Sequence, residues 1–325
     1  MKKTIWILLD NRIGSRHQAE GIASYLDNKK FNIVFKDIEY TKWASLPNFI
    51  RGKSLLGISN NSKKDISAPY PDFVLSSTRR TAPVARYIKK HHKDCKLFQL
   101  IHIGKTGLND FTKVFVPEHD MYKTKSPNIH YTVGAPHFIN NEKLKQAKKL
   151  WEKEFAHLPH PITALIIGGS IKKHPFSLEN AKNLSLLVNN LKQQEGGSLL
   201  ITTSRRTGQE AEQIIMENLK NIPNYSYLWG ATGNNPYLGF LACSDNIIVT
   251  GDSVSMCCEA TASQKPLKIF TGNDWLTKKH LKFVQSLYDS GYANSLSDNT
   301  LKTSIIPPKP LNTAKEIADI ISAFN

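Results

Sequence analysis

The stretch from Asn246 to Phe270 constrains the fold more than any other. Asn246-Ile-Ile-Val-Thr250 is a short, unbroken apolar run, the mark of a strand buried on both faces. Gly251-Asp252-Ser253-Val254-Ser255 then turns the chain. A helix follows with Ser253 or Ser255 near its N-cap and Glu259 one turn in; Lys265-Pro266 ends it, and Leu267–Phe270 is the next strand. Just upstream, Asn235-Pro236 opens a helix running from about Tyr237 to Ser244. Proline is favourable there because its missing N–H would have no partner in the first turn. A polar turn between a buried parallel strand and a helix N-terminus offers bare amides and the positive end of the helix dipole to an anion. Open α/β sheets bind ligands at that edge, beyond the carboxyl ends of their strands. Glu259 could accept hydrogen bonds from a ribose diol. On spacing alone an ordinary helix cap is the favoured reading of Ser253, Ser255 and Glu259.

The same unit recurs along the chain. Thr4–Leu9 reads as a buried strand, and Asp10, Gly14, His17 and Gln18 fall in the turn before a helix that runs to about Leu26. The turn is not GxGxxG, so the dinucleotide fingerprint is absent. His17 could serve as a general base, although a lone histidine near a helix start is more often a surface or capping residue. Asp72–Leu75 runs into Ser76-Ser-Thr-Arg79-Arg80-Thr81. Two arginines at a strand-to-helix turn suit a phosphate or carboxylate. Lys96–Ile101 ends in His102, and Phe111–Val116 ends in Pro117-Glu118-His119-Asp120. The second half restarts with Thr163–Ile167 and Gly168-Gly169-Ser170. Ser198–Thr202 then leads into Thr203-Ser204-Arg205-Arg206-Thr207-Gly208. Pro307-Pro308 introduces a last helix, Asn312–Ala323. Strands alternating with helices imply doubly wound α/β sheets.

At 325 residues the chain has room for two such domains, with the boundary near the polar helix Lys143–Phe155. Charge divides them. Residues 1–150 carry 27 Lys and Arg against 12 Asp and Glu, whereas residues 151–325 carry 16 against 15. The first half therefore suits an anionic partner such as a membrane surface or an acidic substrate; a basic surface of a Lys-rich proteome is the plain alternative. Thr41–Ser59 interleaves Trp43, Leu46, Phe49, Ile50, Leu55 and Leu56 with Lys42, Arg51 and Lys53, as in a membrane interface, although Pro47 and Gly52 fit a packed irregular segment equally well. No apolar run approaches the roughly 20 residues that span a bilayer. Asp10 stops the N-terminal run too early for a secretory signal. Cys95, Cys243, Cys257 and Cys258 lack metal-ligand spacing and fit reduced thiols, so a cytoplasmic location is expected.

Ten segments carry a resemblance: DNRIGSRHQ (10–18), SSTRRTAP (76–83), VPEHD (116–120), GAPH (134–137), IGGS (167–170), TTSRRTG (202–208), NPY–LACSD (235–245), VTGDSVSMCCEA (249–260), KP (265–266) and LYDSGYA (287–293). In this order, over nearly the whole chain, they resemble the family of the plant mitochondrial fission factor and its bacterial members. Asn11 and Ile103 depart from that pattern, where Gly and Pro are usual. The family in turn looks like glycosyltransferases of the GT-B type. The resemblance implies two Rossmann-like domains facing across a cleft, with the C-terminal helix packing back on the first. The implied spans are 1–145 (basic, acceptor- or membrane-facing), 146–310 (nucleotide-sugar-binding) and 311–325 (the returning helix).

The same likeness implies a metal-independent glycosyltransferase. It would move sugar from a nucleotide diphosphate sugar, the co-substrate, to a lipid or lipopolysaccharide-type acceptor, with no cofactor and no nucleic-acid partner. Ser253, Ser255 and Glu259 would hold the donor, and Gly168, Gly169, Ser170, Ser204, Arg205 and Arg206 would complete the pocket. Asn235, Pro236, Asp252 and Met256 flank it, and Gly14, Gln18, Arg79 and Arg80 form the substrate side of the first domain. The catalytic base would be His17, Asp10, His102 or His119, in that order. The alternative is a non-catalytic adaptor, peripheral on the inner face of a membrane. A nucleotide-sugar epimerase is disfavoured by the missing GxGxxG; Tyr25 and Lys29 have the Tyr-x-x-x-Lys spacing, but Asp27-Asn28 interrupts the helix between them.

Overall fold

The computed structural model describes residues 2–104, 106–121, 126–298 and 311–325. Two compact units divide the chain, Met1–Phe138 with Asn312–Asn325, and Ile139–Leu311. Residues 299–310, including Pro307-Pro308, lie outside the described residues.

In the first unit the strands are β1 (Lys3–Leu9), β2 (Phe31–Asp37), β3 (Phe73–Ser76), β4 (Lys96–Leu100), β5 (Lys113–Pro117) and β6 (Ile129–Thr132), joined by helices α1 (Ile13–Ala23), α2 (Asn48–Arg51), α3 (Asn60–Asp65) and α4 (Ala82–His91). They form a six-stranded parallel sheet in the order β2-β1-β3-β4-β5-β6. The pattern of each strand follows its place. Central β3 is buried throughout, while edge strand β2 alternates between covered and exposed positions.

The second unit contains α5 (Asn141–Phe155), β7 (Ile162–Ile166), α6 (Leu178–Glu195), β8 (Ser198–Thr202), α7 (Gln209–Leu219), β9 (Asn224–Tyr227), α8 (Tyr237–Cys243), β10 (Asn246–Thr250), α9 (Val254–Thr261), β11 (Leu267–Phe270), α10 (Lys278–Asp289) and β12 (Asn294–Ser295). Its parallel sheet has the order β12-β11-β10-β7-β8-β9. β7 and β8, at its centre, are buried at every residue.

The last helix, α11 (Thr313–Ser322), belongs to the first unit. Ala314, Ile317, Ala318 and Ile321 pack with Ile5, Ile7, Leu9, Phe73 and Phe98 on the sheet face that α1 also covers. Burying each isoleucine is worth about 2 kcal/mol, enough to return the chain to this sheet. The Asn312 side chain caps α11 and also donates to the Tyr25 hydroxyl at 2.8 Å. Tyr25 is therefore a structural anchor for that turn.

Two boundaries differ from the sequence reading. α1 begins at Ile13, so Gly14, His17 and Gln18 lie within the helix and only Asp10, Asn11 and Arg12 form the turn. Arg12 occupies the N-cap without a side-chain bond to the helix amides, so no capping residue marks the start. The sequence reads as helical over Trp275–Leu287, but α10 begins after Thr277, whose hydroxyl accepts from the His280 amide, so Trp275 precedes the helix.

Candidate functional site

In a parallel sheet all carboxyl ends point one way. The turns after β7, β8 and β10, three adjacent strands, therefore meet at one edge of the second unit. Asp252 holds them together. Its buried carboxylate accepts from the Gly169 amide at 2.9 Å, from the Thr250 hydroxyl at 2.7 Å and from Arg206 Nη1 at 2.8 Å. Thr250 Oγ1 in turn accepts from the Gly168 amide, and the Ser204 and Thr207 hydroxyls donate to the Gly168 carbonyl. Burial pushes the Asp252 carboxyl above its ordinary value, opposed by Arg206 and these hydrogen bonds.

The glycines are required by close approach. A β-carbon on Gly168 would fall on the Asp252 carboxylate, and one on Gly169, at φ +147°, on the Arg206 backbone. Trp275 closes the floor, its indole N–H donating to the Gly169 carbonyl at 3.1 Å. Sequence reasoning missed this residue; a buried tryptophan needs a partner for its N–H, but nothing local says where. Ser170 anchors the next segment, its hydroxyl accepting from the Phe176 amide and its carbonyl from Arg206. Arg206 is thus committed within the turn, while Arg205 beside it is exposed.

The helix cap resolves to Ser253, whose side chain accepts from the Met256 amide; Ser255 and Met256 lie half-buried in the first turn of α9. Asn235 Oδ1 accepts from the Tyr237 amide and Pro236 occupies the N-cap of α8. The Tyr237 hydroxyl donates to Glu259 at 2.6 Å. Burial pushes the Glu259 carboxyl up to about 7, the tyrosine bond pulling the other way, and Tyr237 is raised well above its usual range. Sequence reasoning named Glu259 but not its partner.

The first unit repeats the arrangement at its own sheet edge. Asp10, Arg79 and Arg80, His102 and His119 follow β1, β3, β4 and β5, neighbouring strands in that order. Asp10 is buried; its carboxylate accepts from the Thr78 hydroxyl at 3.1 Å and lies 3.8 Å from Arg80 Nη1. Arg80 also covers the Tyr40 ring at 4.1 Å. His102 is buried, and its Nδ1 accepts from the Gly104 amide, so a neutral ring carries its proton on Nε2. Burial first and the Arg79 charge second hold its pKa below the usual histidine value. His17 packs against Phe138 with the rings tilted and their centroids 4.4 Å apart, half-exposed, next to Gln18 on α1. Gly14 has open space around its Cα, so no close approach demands a glycine there. His119 sits in a short 3-10 turn after β5.

A cavity of about 780 Å³ opens in this unit, lined by Arg12, Arg79 and Arg80, by Leu46, Phe49 and Ile101, and by other residues of the 44–49 and 101–106 segments. Ile101 has φ +66°. A β-branched residue there is an outlier costing on the order of 1–2 kcal/mol, a strain found mostly at functional sites.

The two arginine turns are wired alike. In the first unit the Thr78 amide donates to Thr81 Oγ1 and the Arg80 amide to Thr78 Oγ1. In the second the Ser204 amide donates to Thr207 Oγ1 and the Arg206 amide to Ser204 Oγ. In each pair the first arginine is exposed and the second is half-buried beside a buried aspartate. The segments SSTRRT and TTSRRT announce this kinship once set side by side.

The family description "Mitochondrial fission ELM1" matches residues 13–324. An uncharacterized protein of Rickettsia prowazekii is 32% identical, covering 98% of this chain and 97% of its own. The mitochondrial fission protein ELM1 of Arabidopsis thaliana is 29% identical over 81% of this chain and 66% of its own. Among solved structures, a putative UDP-N-acetylglucosamine 2-epimerase of Listeria monocytogenes superposes with TM-score 0.63 at 12% identity, covering 99% and 95% of the two chains. The UDP-GlcNAc 2-epimerase of Neisseria meningitidis bound to UDP-GlcNAc gives 0.58 at 14% identity, covering 99% of both. A glycosyltransferase of Rickettsia africae gives 0.54 at 14%, covering 99% and 88%. At such identities the likeness is one of fold, which is GT-B. No helix among the described residues is long and apolar enough to cross a membrane.

Proposed function

The chain belongs to the mitochondrial fission ELM1 family and has the GT-B fold, and from these premises we propose that it is a glycosyltransferase using a nucleotide diphosphate sugar. The observation that carries the reading is the wired edge of the second unit, where Asp252 fixes Gly168, Gly169 and Arg206 beside the N-terminus of α9. The bare amides of α9 and the exposed Arg205 neutralise a departing diphosphate without a metal, while Arg206, paired with Asp252, holds the turn in place. Glu259, one turn into α9, accepts from the ribose hydroxyls. Similar folds whose names include UDP-GlcNAc support a sugar nucleotide as donor.

The acceptor belongs to the basic first unit and comes from a membrane surface, as a lipid or lipopolysaccharide-type hydroxyl compound. Its proton passes to a group at that sheet edge. His17 is the leading choice, because Asp10 is engaged by Thr78 and His102 presents Nε2–H rather than a lone pair. A cytoplasmic protein peripheral on the inner membrane face fits this reading.

Thermal unfolding with nucleotide diphosphates tests it. A nucleotide at a hundred times its Kd should stabilise the protein by about 2.7 kcal/mol. Arg205→Ala and Glu259→Ala should each remove most of that gain. No shift with any nucleotide diphosphate at millimolar concentration would refute the reading. The second reading, a non-catalytic membrane adaptor, is favoured by the exposed aromatic segment around Trp43 and Phe49. Vesicle binding by a protein without nucleotide affinity would select it.

A further inference from the structure

Residues 42–56 of the first unit invert the usual pattern. Their polar groups hold the segment down. Buried Arg51 donates to the Leu56 and Arg80 carbonyls, Asn48 donates to the Arg79 carbonyl, and Arg86 donates to the Gly52 carbonyl. Their apolar side chains face out: Trp43, Phe49, Ile50 and Leu56 are 53%, 68%, 51% and 41% exposed. An apolar patch of this kind at the rim of a pocket marks an interaction surface.

The pocket beside it is charged. Among the described residues three arginines and no carboxylate line it, with Asp10 buried behind Arg80. After that partial compensation, a surplus of about two positive charges remains. A carboxylate ligand would leave one charge unmatched, whereas a phosphomonoester or diphosphate matches it and uses the planar fork of each guanidinium. Arg79 lies over the 102–104 turn, close to Gly104, which adopts φ +87°. Leu46, Phe49 and the strained, half-exposed Ile101 add apolar surface to the same lining. Cations and apolar surface sharing one pocket suit an amphiphilic anion, and Phe49 belongs both to the lining and to the exposed apolar set.

We propose that this pocket binds the phosphate of a lipid presented by an anionic bilayer, with the phosphate against Arg12, Arg79 and Arg80 and the first part of the lipid's apolar chain against Phe49 and Ile101. Trp43, Phe49, Ile50 and Leu56 enter the interface around it. As the identity of the acceptor, this rests on the transferase reading; as a binding site, it is testable with no donor present.

The experiment is vesicle co-sedimentation of the full chain. Phosphatidylcholine vesicles are compared with vesicles doped to equal surface charge with phosphatidylglycerol, a phosphodiester, or with phosphatidic acid, a phosphomonoester. Binding to phosphatidic acid should exceed binding to phosphatidylglycerol about tenfold, because the monoester brings a second negative charge and a third oxygen to the arginines. Arg12→Gln and Arg79→Gln, both at exposed positions, should abolish that preference while leaving residual salt-sensitive binding. Phe49→Ser should weaken binding to both anionic vesicles, and a blue shift of Trp43 fluorescence on vesicle addition should be lost in Trp43→Phe. A soluble arm with glycerol 3-phosphate separates the sources: weak binding abolished by Arg79→Gln agrees with the proposal. Tight soluble binding without vesicle binding would overturn it in favour of a free phosphate. Equal binding to the two anionic vesicles, or a preference that survives both arginine variants, would also overturn it. Nucleotide affinity is measured separately, so failure of the donor site leaves this result standing, and the reverse.

Discussion

The Glu259 carboxyl gives the most quantitative test of the second-unit site. Burial raises it from 4.5 to about 7, with Tyr237 donating to it at 2.6 Å. An acid whose folded pKa is raised binds its proton more tightly in the folded chain. Its contribution to stability is therefore largest below the unfolded value, falls as pH rises from about 4.5 to about 7, and is constant above. At about 1.4 kcal/mol per pH unit the whole fall is about 3 kcal/mol. Between pH 5 and pH 8 roughly 2.5 kcal/mol of it is sampled, since the unfolded carboxyl is already largely ionised at pH 5. Other groups titrate in the same window, so the comparison is with Glu259→Gln, which keeps an acceptor for Tyr237 and cannot ionise. Urea unfolding at several pH values should show wild type losing about 2.5 kcal/mol relative to Glu259→Gln from pH 5 to pH 8. A difference independent of pH would mean that the carboxyl is ordinary and its burial argument wrong.

The same titration bears on the ligand. A ribose diol donates to a carboxylate, and a protonated Glu259 is a poorer acceptor. If the donor uses it, the dissociation constant of UDP should rise about tenfold per pH unit below 7 in wild type and be flat in Glu259→Gln. Calorimetry at pH 6 and pH 8 reads both.

Three further outcomes follow from packing. Gly169→Ala should lower stability by about 3 kcal/mol or more and abolish any nucleotide shift, because its β-carbon meets the Arg206 backbone at a φ that alanine avoids. Ile317→Ala, which leaves a cavity under α11 against Ile5 and Phe98, should cost about 2–5 kcal/mol by denaturant unfolding. Asp252→Asn should destabilise by about 2 kcal/mol, since Arg206 loses its charge partner yet remains partly hydrated; an unchanged protein would show that Asp252 does not organise the turn.

Most of the fold was legible because central parallel strands leave a plain signal. Runs such as Ile162–Ile166 and Asn246–Thr250 are apolar without alternation, and the residues after them are polar or glycine. Position in the sheet then follows from the βα order, which is why His102 and His119 could be placed at the sheet edge from sequence. The start of α9 was legible because the Ser253 side chain caps it; the start of α1, where Arg12 makes no such bond, was not. Long-range partners were not legible. Nothing local to Glu259 names Tyr237, 22 residues upstream. Nothing near Gly169 names Trp275, whose indole reaches back 106 residues to its carbonyl.

The paired arginine turns show what a hydrogen-bonding pattern adds to a motif. Two arginines after a strand are in themselves only charge. The threonine that closes each turn, Thr81 or Thr207, accepts from an amide three residues earlier, and the hydroxyl at 78 or 204 accepts from the amide of the second arginine. Those bonds fix the backbone, so the second arginine lies against a buried aspartate and the first projects outward. The chain thus carries the same charged device on both sheets with different neighbours: Gly169 against Arg206 in the second unit, and a pocket lining shared with Leu46, Phe49 and Ile101 in the first. The neighbours decide the ligand. A polar, amide-rich surround suits a diphosphate in water, and an apolar surround suits a phosphate that arrives attached to a hydrocarbon chain. On the reading proposed above, a single repeated turn would serve a soluble donor in one unit and a membrane-bound acceptor in the other.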